Sequence, residues 1–358
     1  MKRLTEKHYE EYHNNLETKD IGGTLDKKFL RIDSKFLSRY FDEISKPNSS
    51  YVSYADDLIR EYYDPKFRDE YGEKSFPIKY LSALVKHTDS HNNPGGRLHE
   101  VYSSRFANLF GIPTVYNEQV RFNKREAIIS LDFLKDGETM SSLLDLGSEI
   151  FPNVRSNALR FEYDEYTPMN KWCNLITDIL NCNLDKNIPN RNEMISEICG
   201  DFCLQMLYKT LIVNDEDFSV HNVAIVFSKD KKSARLAPAH DFEYCILRSF
   251  SVMSYIEYTL RHFKFLNKHF PEKLAKFMDN FQNKFFSKDG TINSNRIEKI
   301  FKEAINDEAT ILFYYISLAE NLKRFKFTYD KFIQNPEADI DTTNLYQEYM
   351  ALSKENTK

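Results

Sequence analysis

Beyond residue 141 the apolar positions recur at three- and four-residue spacings. Trp172, Leu175, Ile176 and Ile179 share one face of a helix predicted over Asn170 to Ile179. Ile195, Ile198, Cys199, Phe202, Met206 and Thr210 do the same over Arg191 to Val213. Four more helices are predicted over Ser251 to His269, Pro271 to Phe286, Ser294 to Asn306 and Glu308 to Phe325, with Pro271 and Gly290 as punctuation. The amino-terminal part reads differently. Phe76 to His87 is a predicted strand ending in Val85-Lys86, and Thr114 to Leu134 holds short apolar runs that predict an antiparallel strand set. Between them, Leu98, Val101, Phe106 and Leu109 mark a helix over Arg97 to Phe110, stopped by Gly111-Ile-Pro. Phe36, Leu37, Tyr40 and Phe41, then Leu58, Ile59 and Tyr62, suggest two short helices around a turn at Pro47-Asn-Ser-Ser. Residues 1–20 are polar, with scattered Tyr and Leu. The class that follows is α+β: a β-rich lobe over residues 1–136 carrying a helical insertion, then an α-helical lobe over 137–358.

The stretch from Leu207 to Glu243 carries the densest chemistry. An apolar helix ends near Val213, an acidic loop holds Asp217 with Asn222 five residues on, and a hairpin follows. Its strands are Val223 to Phe227 and Ala234 to Ala237, its tip is Lys229 to Lys232, and it leads to Asp241. An Asp, an Asn and a second Asp returned by a hairpin supply what phosphoryl transfer needs: one carboxylate to orient a hydroxyl and take its proton, and two oxygen donors for Mg²⁺. Asp215 rivals Asp217 as the base, though only Asp217 has the five-residue spacing to Asn222. A solvated turn flanked by Asp and Asn is the bland alternative for part of this pattern. Further upstream, Gly22-Gly23-Thr24 runs into a short strand ending at Ile32-Asp33, and backbone amides of such a turn can cover phosphates.

These motifs resemble the HipA-like serine/threonine kinases, an atypical branch of the protein-kinase fold. There a helix ending in Leu-Ile precedes Asp-x4-Asn, a hairpin and Pro-x-x-Asp, matched here by Asp217, Asn222 and Pro238-Ala-His-Asp241. The chain departs from the pattern at Ser219, where the family usually has His, and in the long insertion from Ser34 to Ser75. The resemblance implies a two-lobed protein-kinase-like fold, ATP and Mg²⁺ as cofactors, and transfer to a Ser or Thr hydroxyl of a protein substrate. It implies Asp217 as the catalytic residue, Asn222 and Asp241 as metal ligands, and Lys86 paired with Glu100 on the phosphates, with Lys79 the competing lysine. It also implies a phosphate loop at Gly22, Gly23 and Thr24, a hinge near Leu131 to Leu134, self-inhibitory phosphorylation of Thr24, and an antitoxin-like partner. A kinase-shaped module that binds nucleotide or a partner without transfer is the rival expectation.

Composition narrows the partners. The 49 basic and 54 acidic residues give a net charge of −5, so no electrostatic attraction to nucleic acid is expected. Five cysteines, an odd number in a long chain, argue for a reducing cytoplasmic compartment rather than a disulfide framework. Cys199 and Cys203 read as core positions rather than zinc ligands, because no second ligand pair lies nearby. No apolar run approaches the ~18 residues of a membrane span, so no membrane partner is expected. The 28 Phe and 22 Tyr predict cores built on aromatic rings.

Overall fold

The structure is a computed structural model that describes residues 1–11, 27–44, 46, 48–55, 79–87, 98–150, 163, 167–215, 218–242, 245, 251–305, 307–337 and 341–355. The chain forms two compact units: residues 1–137 together with 238–243, and residues 138–237 together with 244–358.

The first unit contains β1 (Lys2–Leu4), β2 (Tyr9–Glu11), β3 (Lys27–Asp33), α1 (Ser38–Ile44), β4 (Tyr51–Val52) and β5 (Tyr80–His87). It continues with α2 (Leu98–Phe110), β6 (Thr114–Val115), β7 (Asn117–Phe122) and β8 (Arg125–Leu131). Six strands make one sheet in the order β1-β7-β8-β5-β3-β2, antiparallel except where β1 runs parallel to β7. The β7–β8 connection places Asn123 at φ 50° and Lys124 at φ 67°, the left-handed pair that a tight two-residue hairpin needs.

Leu81, Ala83 and Val85 of β5 join Leu30, Ile32, Val120, Ala127, Ile129 and Leu131 on one buried face. Leu37, Tyr40, Phe41 and Ile44 close over that face. The Ser34 to Ser75 insertion, in its described part, is therefore core of this unit; its predicted second helix at Leu58 to Tyr62 lies outside the described residues. Because strand side chains alternate, Lys86 projects on the face opposite to Val85. The polar amino terminus, which gave no strand signal, supplies β1 and β2. An edge strand needs only one buried row, and Leu4 provides it for β1 while Lys2 Nζ donates to the Phe36 carbonyl at 2.9 Å.

The second unit contains β9 (Thr139–Ser142), α3 (Leu143–Ile150), α4 (Met169–Asn183) and α5 (Arg191–Leu207), which continues into a π-helical turn, Tyr208–Ile212. Then come β10 (Ala224–Phe227), β11 (Ala234–Leu236), α6 (Val252–His269), α7 (Pro271–Phe285), α8 (Ser294–Ala304), α9 (Glu308–Gln334) and α10 (Thr342–Glu355). The expected hairpin is β10–β11, and β9 adds to it in the order β11-β10-β9. Ser251, Asn293 and Asp307 cap α6, α8 and α9, each accepting the N–H of the residue three positions on. Phe325 of α9 centres an aromatic cluster, with ring centroids 5.1 Å from Phe263, 6.1 Å from Phe277 and 5.1 Å from Phe281. The buried stripe of α9 runs on to Phe332, which carries the helix past the predicted end at Phe325.

His262 sits inside this helical core, its Nδ1–H donating to the Tyr258 carbonyl at 2.6 Å. Burial pushes the imidazole down to about 4. The folded state thus holds the neutral ring, and its contribution is complete above the unfolded value near 6.5 and lost as pH falls toward about 4. Urea unfolding is expected to show a loss of about 3 kcal/mol across that window that is missing in His262→Leu. Equal pH slopes in the two proteins would assign the loss to other groups.

Candidate active site

Lys86 leaves β5 on the face opposite the main core, and Glu100 sits in the first turn of α2, where free helix amides favour a carboxylate. Lys86 Nζ lies 2.9 Å from Glu100 Oε1 and 3.0 Å from Oε2. Side-chain exposure is 9% for the lysine and 1% for the glutamate. The Asn117 amide donates to the Glu100 carbonyl at 3.3 Å, and the Ser130 hydroxyl donates to Asn117 Oδ1, so α2 is pinned to the sheet at the turn that carries the acid. Lys79 is exposed, with its ammonium over the Tyr80 ring at 4.8 Å. Of the two candidate lysines, Lys86 is the one brought to Glu100. Burying two charges together contributes little net stability, so a pair held this way points to a task other than holding the fold.

The segment that carries Asp241 belongs to the same unit. Ala239 bridges to Thr114 of β6: its N–H donates to the Pro113 carbonyl at 2.7 Å, and its carbonyl accepts from Val115 N–H at 3.2 Å and from Thr114 Oγ1 at 3.0 Å. His240 places Nδ1 at 2.8 Å from the Pro238 carbonyl and its ring 6.1 Å from Phe133, so it is held by a hydrogen bond and by packing. Phe242 is fully buried. Between those two residues Asp241 adopts φ 55°, a left-handed backbone that costs a non-glycine residue free energy and concentrates at functional sites.

In the second unit, α5 feeds the acidic loop through the π-helical turn. Val213 N–H reaches back five residues to the Tyr208 carbonyl at 3.1 Å, and Asp215 N–H reaches back six to the Lys209 carbonyl at 2.7 Å. The widened turn leaves carbonyls for other donors, and the Tyr255 hydroxyl takes Leu211 at 2.7 Å while the Asn321 amide takes Ile212 at 3.1 Å. Beyond the loop, Leu144 N–H donates to Val220 and Leu143 N–H to Val223, at 3.1 and 2.8 Å. These bonds tie both sides of Asn222, which is half-buried and donates its own N–H to Ser219 at 3.0 Å.

Asp215, the rival base, is buried and paired. Its side chain is 0% exposed and ion-paired with Lys209 Nζ at 2.9 Å, Lys209 itself being 0% exposed. Sequence reasoning missed Lys209, although the signal was present: a lysine inside an apolar helix end, six residues before an aspartate. Asp217, Gly22, Gly23 and Thr24 lie outside the described residues. The described residues contain no group of three or more His, Cys, Asp or Glu able to hold a metal ion. The amide oxygen of Asn222 and the carboxylate of Asp241 are hard donors, which fit Mg²⁺ in kind. Cys199 and Cys203 lie in the core, Cys203 with its sulfur 3.6 Å from that of Cys173. The hydrogen bond with Cys173 and then burial push the Cys199 thiol up, as befits an inert core position.

Among the described residues no helix is long and apolar enough to cross a membrane. No family model matches the chain, and no curated protein does. Among solved structures the chain is similar to HipA of Shewanella oneidensis MR-1, solved with HipB and its operator DNA. That match has 12% identity over 73% of this chain and 63% of that one, with a TM-score of 0.42. The chain is also similar to the Helicobacter pylori proinflammatory kinase CtkA, at 12% identity over 74% of this chain and 95% of that one, with a TM-score of 0.48.

Proposed function

We propose that the protein transfers the γ-phosphoryl group of ATP to a Ser or Thr hydroxyl of a protein, as HipA-like kinases do. The observation that carries this reading is the buried Lys86–Glu100 pair, joining a sheet strand to the helix that follows it. Glu100 fixes the ammonium where it would grip the α- and β-phosphates. Asn222 and Asp241 would hold Mg²⁺, which when bound neutralises charge on the phosphates. Asp217 orients the acceptor hydroxyl and takes its proton as the oxygen–phosphorus bond forms and ADP leaves. Backbone amides at Gly22, Gly23 and Thr24 would cover the phosphates. The proposed partners are a protein substrate and an antitoxin-like protein, on the strength of the motif resemblance.

The test is incubation of the purified chain with Mg²⁺ and γ-labelled ATP in a protein extract, followed by identification of labelled Ser and Thr. Lys86→Met is expected to lower transfer by about 10²–10³-fold. That variant leaves Glu100 buried without its cation, so Lys86→Met with Glu100→Gln serves as the neutral control and is expected to be folded and equally impaired. Nucleotide binding by the wild type without any transfer would overturn the reading in favour of a binding module.

A further inference from the structure

We propose that a groove between α4, α5 and the end of α6 holds an extended, uncharged segment of polypeptide, and that this segment belongs to the protein substrate, a step that rests on the reading above. The groove has a volume of about 440 Å³, within the range of ligand-binding sites. Its two long walls run antiparallel, because Thr177 Oγ1 lies 3.8 Å from Cys199 Sγ while Cys173 Sγ lies 3.6 Å from Cys203 Sγ. These contacts partner the polar atoms of the floor with one another. The rim differs: Asn170, Asn174 and Asn181 of α4 and Asn192 of α5 are exposed, and their side-chain amides have no hydrogen-bond partner among the described residues. Among the described residues that line the groove there is no Asp, Glu, Lys or Arg, although 29% of the chain is charged.

Neutrality and spacing decide what fits. An asparagine side chain carries an acceptor and a donor group, the complement of a peptide unit's own N–H and C=O. Asn170, Asn174, Thr177 and Asn181 follow one helix face, at steps of about 6, 4.5 and 6 Å along the axis. An extended chain brings a peptide group round to the same side about every 6.6 Å, so neighbouring rim groups meet alternate peptide units. From Asn170 to Asn181 is about 16.5 Å, the length of about five extended residues. A charged side chain entering the groove would give up hydration with no counter-charge facing it. One end is apolar: Phe265 and His269 have ring centroids 4.6 Å apart, and Phe270 lies beside them against α5. Gly200 permits that approach, since a Cβ there would meet Phe270 Cδ1 at 3.0 Å and Lys273 Cε at 2.7 Å. The Lys273 ammonium is taken up by Glu197 at 2.5 Å and Asp201 at 2.6 Å. An apolar side chain of the bound segment would rest on the rings.

The probe is an array of terminally blocked ten-residue peptides of random sequence, read with the full chain in the absence of nucleotide. Bound peptides should share an uncharged stretch of about five residues that includes an apolar side chain. Asn174→Ala with Asn181→Ala should weaken the tightest of them by about 10-fold or more. The variant is expected to fold, because both amides are exposed and alanine favours a helix. N-methylation of alternate amides of the peptide should weaken binding by a similar factor. In the transfer assay the same variant should raise KM for the labelled protein about 10-fold and leave kcat and KM for ATP unchanged, the split that loss of uniform binding produces. Equal binding by wild type and variant overturns the proposal, as does selection of charged peptides or tighter binding of maltohexaose, a neutral oligosaccharide that amides and rings can also hold. An unchanged KM for the protein overturns the assignment to the substrate. Because binding is read without transfer, a wild type that binds these peptides and transfers nothing overturns the kinase reading and leaves the peptide site standing.

Discussion

Asp241→Gly is expected to yield a protein more stable than Asp241→Ala and, like it, nearly devoid of phosphoryl transfer. Asp241 holds φ 55°, where the side chain of an L-residue crowds the backbone at a cost of about 1–2 kcal/mol, less for Asp than for most residues. Glycine adopts that conformation freely, and its gain in the native state offsets the greater freedom it gives the unfolded chain. Asp241→Ala retains the crowding without the carboxylate and should be the less stable of the two. Both lose the one charged oxygen donor assigned to Mg²⁺, so transfer should fall by about 10³-fold in each. Thermal unfolding and steady-state transfer on the three proteins test this together. A wild-type rate in either variant removes Asp241 from the site, and an Asp241→Ala protein as stable as Asp241→Gly shows that the backbone angle costs nothing there.

The contrast between strain and chemistry at Asp241 also marks where sequence reading reaches its limit. The residue was found from its place after a hairpin, because hairpins bring distant positions back at a countable distance, but a backbone angle leaves no trace in composition. Lys86 and Glu100 were legible only through the family resemblance, in the order of strand, loop, helix and Gly-Ile-Pro. Taken singly, a lysine on β5 and a glutamate in the first turn of α2 carry no such signal. Where only one buried row is needed the signal vanishes, which is why β1 and β2 look like polar chain in the sequence. The helix α10 was missed likewise: Leu345 and Tyr349 are its buried side chains, too few to make a stripe. The Ser34 to Ser75 stretch reads as an insertion in the lobe without a stated purpose, and the structure shows that Tyr40, Phe41 and Ile44 of it fill the face of the sheet. Periodicity showed that α1 was a helix and could not show what it covers. The π-helical turn was invisible as well, since it depends on donors more than forty residues away, Tyr255 and Asn321.

The two aspartates of the acidic loop should separate by the kind of damage their replacement does. Asp215→Asn keeps the shape of the side chain but leaves the Lys209 ammonium buried against a neutral amide, at a site where both partners are 0% exposed. Removing one member of such a pair typically costs about 3–5 kcal/mol, so this variant should unfold at markedly lower urea or temperature, and its transfer should fall with the fraction folded and with the loosened loop. Asp217→Asn removes only the acceptor of the hydroxyl proton. Its kcat should drop by about 10²–10⁴-fold while KM for ATP and the unfolding midpoint stay at wild-type values. Unfolding curves taken beside initial rates distinguish the two, because a scaffold defect moves both measurements and a missing base moves one. An Asp217→Asn protein with undiminished kcat, beside an Asp215→Asn protein of native stability and no activity, would shift the base by two residues.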